Sequence, residues 1–482
     1  MVHDVIIIGS GLGALECGSL LTKQGKSVLV LERQHQPGGC MQSFRRKGNA
    51  YDTGMHYVGG IGEGQSLYEP FKELGLLDLP WQHLDSEAFD KVTLHNPETN
   101  ALETFSFVEG YDNFAQHLSE RFPNQKEGLR KYVDLLRRCN DNKMEFADVN
   151  AWRWLHETFS DELLINVLSG TSLKMELRRE TLPLFTFAHN NSGFIESSWR
   201  LRGDGKLIVE RLIKNITAGG GRIICDMEVT ELIEKDGKIV EAVCLHHDKG
   251  TTTEERFAAD TFISNAHPAV TCALVKESQL MKKVFKRRMT GLENTFGMFT
   301  CQLKLNDPSE ITRQGHTPVP YYNYNMYVYD TSDVWTMHEE ANGKGILIST
   351  PTQGFIDILT PMHWVECEKW ADTTLGHRGD DYKAFKQAKA ETCIRLAGTQ
   401  IPGLHDMIDE MYCSTPLTWR DYNNTPNGSA YGIRKDCTMP IMTILTPRTP
   451  IPNLYMTGQN LMVHGLQGVT ITAKMTCNEI IK

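Results

Sequence analysis

The chain has 482 residues, with 50 Lys and Arg against 60 Asp and Glu, a formal net charge of -10 and 40% hydrophobic residues; it exceeds the range over which one core grows, so two packed regions with room for a large cofactor are expected. The acidic balance excludes nucleic acid as a partner, because a phosphate-binding surface needs a basic face, and no window reaches the roughly 18 uninterrupted apolar residues of a membrane span. The 12 cysteines contain no CxxC pair, which excludes a dithiol centre or zinc cluster, leaves no metal site expected, and fits a reducing, cytoplasmic compartment.

The first forty residues predict a buried strand over 5–8, a glycine turn, a helix and a second strand over 28–31 that ends at Glu32. The apolar start is interrupted by Gly9, Gly11 and Gly13 and so lacks the form of a signal peptide. In the helix, Ala14, Cys17, Gly18 and Leu21 recur at i, i+3, i+4 and i+7, a small-residue face that can lie close against a sheet. Gly9 permits the tight turn, Gly11 lets a pyrophosphate approach the backbone, and Ala14 takes the third position, where helix and sheet pack closely. The helix N-terminus offers free N–H groups and positive dipole to phosphates. Glu32 follows at the distance from which an acid accepts hydrogen bonds from ribose hydroxyls. The order strand, turn, helix, strand, acid predicts a dinucleotide ligand, FAD or NAD.

Residues 38–60 read GGCMQSFRRKGNAYDTGMHYVGG. Gly38 and Gly39 allow a second close backbone approach to the same ligand, which a compact NAD site does not need. Asp52 is expected to order its own turn. This stretch, above all DTGMHYVG, resembles retinol saturases, carotenoid isomerases and phytoene desaturases, FAD enzymes of the amine-oxidase-like superfamily. The C-terminal IPNLYMTGQNLMVHGLQGV resembles the same branch. A third match lies in residues 205–243, where Ile208, Leu212 and Ile216 mark a helix, Gly219 to Gly221 a turn, and Asp236-Gly237 a hairpin; ISNAHP, 263–268, resembles the usual exit from this segment.

The resemblance implies an α/β fold in which a Rossmann-like FAD-binding domain, residues 1–80, 200–275 and 430–482, is interleaved with an α+β substrate domain, residues 81–199 and 276–429. It implies that Gly9, Gly11, Glu32, Gly38 and Gly39 touch the adenosine and diphosphate half of FAD, with Gly13 and Ala14 in the same turn. Val229 would pack its backbone on the adenine, and Gly458 and Gln459 would sit near the diphosphate and ribityl chain. Gly468 and Val469 would open the last helix, whose N-terminus would point at the flavin. Many flavoproteins carry an acid where this chain has Gln459.

The substrate regions are rich in aromatics, among them Trp152, Trp154, Phe185, Phe187, Trp199, Tyr321, Tyr322, Trp419 and Tyr422, walls that suit a long apolar substrate. The basic stretch 280–289 reads first as a solvated helix face and second as a peripheral contact with an anionic membrane. Residues 422–432 read as a loop on the flavin side. His56, Tyr57 and His464 are the candidate proton donors, since the motifs place them near the flavin.

The resulting expectation is an FAD-dependent oxidoreductase acting on a carbon–carbon double bond of a lipophilic polyene or isoprenoid. Electrons would come from substrate, from transiently bound NADPH or NADH, or from a partner protein, because a second nucleotide fingerprint is missing. Two alternatives share the fold: an amine or amino-acid oxidase, and a non-catalytic escort protein of the Rab escort and GDP-dissociation-inhibitor kind that binds prenyl lipids. The oligomeric state is left open by the sequence.

Overall fold

The computed structural model describes residues 3–140 and 144–481. β1 (His3–Ile8), α1 (Leu12–Lys23) and β2 (Val28–Leu31) form the expected strand, helix and strand, with Val5 opposite Val28 and Ile8 opposite Leu31 in parallel register. β1 is also parallel to Thr251–Ser264, which runs parallel to Leu454–Met456 on its other side, while Arg222–Ile224 adds beyond β2. Both faces of this parallel layer are covered, one by helices and the other chiefly by the strands 227–248, so its strands are continuous apolar runs; all of Val28–Leu31 is buried.

The hairpin of Met227–Lys235 and Lys238–Asp248 turns at Asp236 and Gly237, whose φ angles of 53° and 76° suit the primed turn that an Asp-Gly pair favours. Its second strand pairs antiparallel with Thr251–Ser264 and completes a seven-stranded sheet.

The small face of α1 does more than approach the sheet. A Cβ on Gly18 would lie 2.8 Å from Ile216 Cδ1 in the helix Lys206–Ala218. Cys17 Sγ lies 3.6 Å from both Thr457 Oγ1 and the Ala473 carbonyl in the C-terminal helix Gly465–Ile481. Segments hundreds of residues apart therefore lock on one helix.

The second seven-stranded sheet has the order Ile408–Ser414, Gly297–Leu305, Phe355–Met362, Gly345–Ser349, Asn325–Tyr329, Asp90–Asn96, Ala101–Phe107. Helices from residues 111–196 pack on one side of it around Phe114, Tyr132, Phe187 and Trp335. Asp380–Ala397 contributes Ala390, Cys393 and Ile394 to the core on the other side. The basic stretch forms a helix over Lys283–Gly291 in which Met289 is the buried residue. All 12 cysteines are free. Among the described residues no helix is long and apolar enough to cross a membrane.

Two expectations are corrected by the structure. Asp52 does not order its own turn: its Oδ1 accepts from Gly205 N at 2.9 Å, tying the segment 49–52 to the start of a distant helix. The last helix begins at Gly465 rather than Gly468. Gly468 lies inside its first turn, where a side chain would collide with the Val463 carbonyl.

Glu16 lies wholly buried on α1, with Oε1 accepting from Thr470 Oγ1 at 2.8 Å and Oε2 without a partner. Burial raises its carboxyl pKa from 4.5 to about 8, so the folded chain holds it protonated where the unfolded chain ionises it. Its contribution to stability is thus full below 4.5 and is lost progressively as pH rises toward 8. E16Q is expected to raise the thermal midpoint at pH 8 and to change it little near pH 4.5; equal shifts at both pH values in a calorimetric series would show that Glu16 is ionised in the fold.

Candidate active site

A continuous cavity of about 610 Å³ runs from Glu32 at one end to His464 at the other, a size typical of ligand clefts. Its first half is built on the β1–α1 turn. Gly9 has φ 83°, a conformation that a side chain would strain. The Ser10 amide and hydroxyl both donate to Glu32 Oε2, at 2.8 and 2.6 Å, and Gln34 N donates to Oε1 at 2.8 Å. Three of the carboxylate's roughly four lone-pair positions are thereby filled, leaving about one for a ligand hydroxyl. Gly38 stands behind this turn, its N–H reaching the Ser10 carbonyl and hydroxyl at 3.1 Å.

Gly9, Gly11, Gly13, Glu32, Gly39, Val229, Gly458, Gln459 and Val469 line the cavity. Ala14, Gly38 and Gly468 do not; they are the packing layer beneath it. A Cβ on Gly39 would lie 3.1 Å from Gly11 Cα, and one on Gly13 would lie 3.1 Å from Gly458 N. Asn265 lies across Gly11, Gly13 and Gly458, and its buried Oδ1 has no partner. α1 begins at this wall with no side chain capping its N-terminus. Gly465 to Gln467, the first turn of the C-terminal helix, also face the cavity. Two helix N-termini with free N–H groups suit an anionic ligand at two points along its length.

The far half is a chamber walled by His56, Tyr57, Leu173, Lys174, His189, Phe194, Met298, Leu347, Leu359, Tyr431 and His464. The segment 422–432 borders the cavity through Tyr422, Asn423, Asn424, Thr425, Ala430 and Tyr431. Arg33 Nη2 donates to the Asp421 carbonyl at 2.9 Å, which fastens that segment to the nucleotide end. Of the aromatics singled out above, Trp419 and Tyr422 line the cavity, whereas Phe185 and Phe187 are core.

Buried side-chain atoms without partners concentrate here: His56 Nδ1, His189 Nε2, Asn265 Oδ1, Trp419 Nε1 and Thr425 Oγ1 all belong to lining residues. An unpaired buried polar atom is costly, so this wall is built for a polar ligand with groups spread from end to end. The glycine cradle, the acid at one end and the two helix termini fit the FAD that the motif resemblance implies.

Burial lowers the pKa of His56, His189 and His464 from 6.5 to about 4, with Arg200 adding to the effect at His56. All three are neutral at physiological pH. His464 Nε2 donates to the Lys174 carbonyl at 2.7 Å, so its one proton is committed to the backbone; its ring lies tilted against that of Tyr431, with centroids 4.5 Å apart. Tyr57 stays a phenol, its pKa pushed up by burial and by the neighbouring Asp90. The motifs did not single out Ser10, Asn265, His189, Asp90 or Lys174, whose contacts lie outside the motifs.

Comparison with known proteins follows the same division. Residues 7–74 match the NAD(P)-binding Rossmann-like domain. Over 99% of its length the chain is 24% identical to all-trans-retinol 13,14-reductase of Danio rerio, covering 86% of that protein. It is 23% identical to prolycopene isomerase 2, chloroplastic, of an Oncidium hybrid cultivar over 95% of this chain and 80% of the relative. Among solved structures, an oxidoreductase from Methanosarcina mazei superposes with a TM-score of 0.64 at 17% identity, covering 98% of both chains. A putrescine oxidase mutant from a redesign of cofactor binding gives 0.65 at 13% identity, covering 100% of this chain and 99% of that one. These structural likenesses establish the fold: a mixed α/β architecture containing a Rossmann-like dinucleotide-binding domain.

E32A removes three hydrogen bonds from the turn and the remaining ribose acceptor. Loss of a charged hydrogen bond costs about 1.5–3 kcal/mol, so FAD affinity is expected to fall roughly 10- to 100-fold in a fluorescence titration of cofactor-free protein. Unchanged affinity would place the ligand's ribose elsewhere.

Proposed function

We propose that this chain is an FAD-dependent oxidoreductase acting on a carbon–carbon double bond of a retinoid or carotenoid polyene. The observation that carries this reading is the join of two unlike half-cavities. One is a glycine-rich cradle suited to a diphosphate; the other is an apolar and aromatic chamber. Full-length similarity to all-trans-retinol 13,14-reductases and prolycopene isomerases supports the substrate class.

In this reading Gly9, Gly11, Gly13, Gly39 and Glu32 hold the adenosine diphosphate half, with Ala14 and Gly38 packed behind them. Val229 lies against the adenine. Gly458 and Gln459 follow the diphosphate and ribityl chain, and the helix starting at Gly465, through Val469, faces the ring. When bound, the flavin supplies hydride chemistry. The chain's own contribution is a chamber with neutral histidines, apolar walls at Met298, Leu347 and Leu359, and a hydroxyl at Tyr57. Such walls exclude water and hold a polyene by its length. NADPH or NADH is the reductant to be tried first.

The amine oxidase alternative is disfavoured by charge: an alkylammonium substrate would meet the like charge of Lys174 in the chamber, and the nearby carboxylate, Asp90, lies behind Tyr57 and is not among the described residues that line the cavity.

Purified protein supplied with NADPH or dithionite under nitrogen is expected to convert all-trans-retinol or prolycopene to a product of shortened or rearranged chromophore, resolved by reversed-phase chromatography. It should release no peroxide from putrescine or cyclohexylamine in air. Peroxide from either amine, with both polyenes untouched, would replace this reading by the oxidase one; a protein that takes up no FAD would replace it by the escort reading.

A further inference from the structure

The chamber contains a half-buried cation that no motif identified. Lys174 closes the short helical turn Ser172–Lys174 and lines the cavity, its Nζ 4.0 Å above the Phe194 ring and 3.4 Å from Tyr57 OH. An ammonium carries three donors, and Tyr57 takes at most one. Tyr57 OH in turn donates to Asp90 Oδ2 at 2.8 Å and lies 2.7 Å from Tyr327 OH. Asp90 Oδ1 accepts from Asn325 Nδ2 at 2.9 Å, and Asn325 Oδ1 accepts from Arg200 Nη2 at 2.7 Å. The phenol's single proton points to Asp90, so Lys174 reaches Tyr57 as a donor. The chain of bonds thus runs from the cavity inward: ammonium, phenol, carboxylate.

We propose that Lys174 is the catalytic acid of this chamber, delivering a proton to the substrate carbon beside the one that receives hydride, with Tyr57 and Asp90 as its positioning residues. The proposal rests on the polyene reading above and deepens it. In saturation the π bond breaks. One carbon gains a hydride, with its electron pair, from reduced flavin; its neighbour gains a proton as an Nζ–H bond breaks, and Lys174 is left as a neutral amine. The electrons come from NADPH or dithionite, and the amine recovers its proton from solvent. Desaturation reverses each of these changes.

Competing donors in the chamber are poorly placed for this work. His56, His189 and His464 are neutral, and the proton on His464 Nε2 is engaged by the Lys174 carbonyl. Tyr57 and Tyr431 hold their phenolic protons tightly; burial raises both, and the Tyr431 hydroxyl is engaged by the Leu173 carbonyl at 2.5 Å. Burial lowers the Lys174 pKa from the ordinary lysine value of 10.5, while the Asp90 carboxylate acts in the opposite sense. Asp90 is itself raised by burial, with Lys174 and Arg200 opposing the rise. The groups facing the ammonium are therefore Tyr57, Asp90 and Tyr327, with Phe194 beneath it, and Arg200 behind Asn325. A lysine lowered by desolvation in this way matches a general acid working near neutral pH.

The test uses K174M, K174R and D90N, each first checked for wild-type flavin content by its visible spectrum. K174M is expected to lower polyene reduction roughly 100-fold, the usual contribution of general acid catalysis. K174R decides the role, because arginine retains the cation and does not release its proton: activity as low as that of K174M supports the acid, and recovery to within a few-fold of wild type would overturn it. Wild-type turnover should fall along an alkaline limb below pH 10, and D90N should move that limb to lower pH. Independently of turnover, acetylation of Lys174 by acetic anhydride, read by mass spectrometry across pH, should show a midpoint below that of the exposed lysines, and lower still in D90N. A midpoint equal to theirs would overturn the proposal. If wild type reduces no polyene, the reading of the function fails and the proton-transfer role fails with it, whereas turnover by wild type and K174M alike, with the same pH profile, overturns Lys174 alone.

Discussion

Three distant pieces of chain pass within van der Waals reach of one another at the first glycine turn, and most of the architecture follows from that contact. Gly11 and Gly13 lie against Asn265 and Gly458, and Gly39 closes on Gly11 from the other side. A Cβ on Gly11 would press on the Asn265 side chain, and one on Gly13 or Gly39 would press on a neighbouring backbone. To arrive there, residue 265 must leave a strand parallel to β1, and residue 458 must leave the next strand over, as both do. The parallel layer is thus assembled from the two ends and the middle of the sequence, and the intervening stretches supply the second sheet and its helices.

That convergence also sets the electrostatics of the cleft. Two helix N-termini open on it, and the Glu32 carboxylate is held at its far end by the Ser10 and Gln34 amides. Positive dipole faces the middle of the cavity and an acid faces its nucleotide end. Where the cavity widens, charge gives way to burial. Three histidines lose their protons for want of solvation, and the chamber keeps a lysine as its lone cationic wall residue among the described residues.

Much of the glycine-lined half of the cavity was legible in the sequence because its signals are local. Gly9, Gly11 and Glu32 lie within one strand–helix–strand unit whose periodicity and spacing carry physical meaning by themselves. Gly38, Gly39 and the Asp236-Gly237 hairpin were likewise readable from short stretches. The chamber was not, since its working contacts join residues far apart in sequence: Tyr57 with Asp90 and Tyr327, Lys174 with Tyr57, His464 with Lys174. Asp52 misled for the same reason, its partner Gly205 being 153 residues away. Gly468 misled differently; its glycine reads as a helix start, yet the structure requires it for close approach to Val463 within a helix already begun at Gly465.

The decisive experiment is an anaerobic titration followed in the visible spectrum. Protein carrying flavin is reduced with dithionite just to the endpoint, and a polyene is then added in steps without oxygen. Return of the oxidised flavin bands, one equivalent for each double bond consumed, is the result expected if the glycine cradle and the apolar chamber serve a single redox reaction. Bands that stay bleached with retinol while neither retinol nor prolycopene changes its chromophore, or a protein that never acquires them when supplied with FAD, would contradict it.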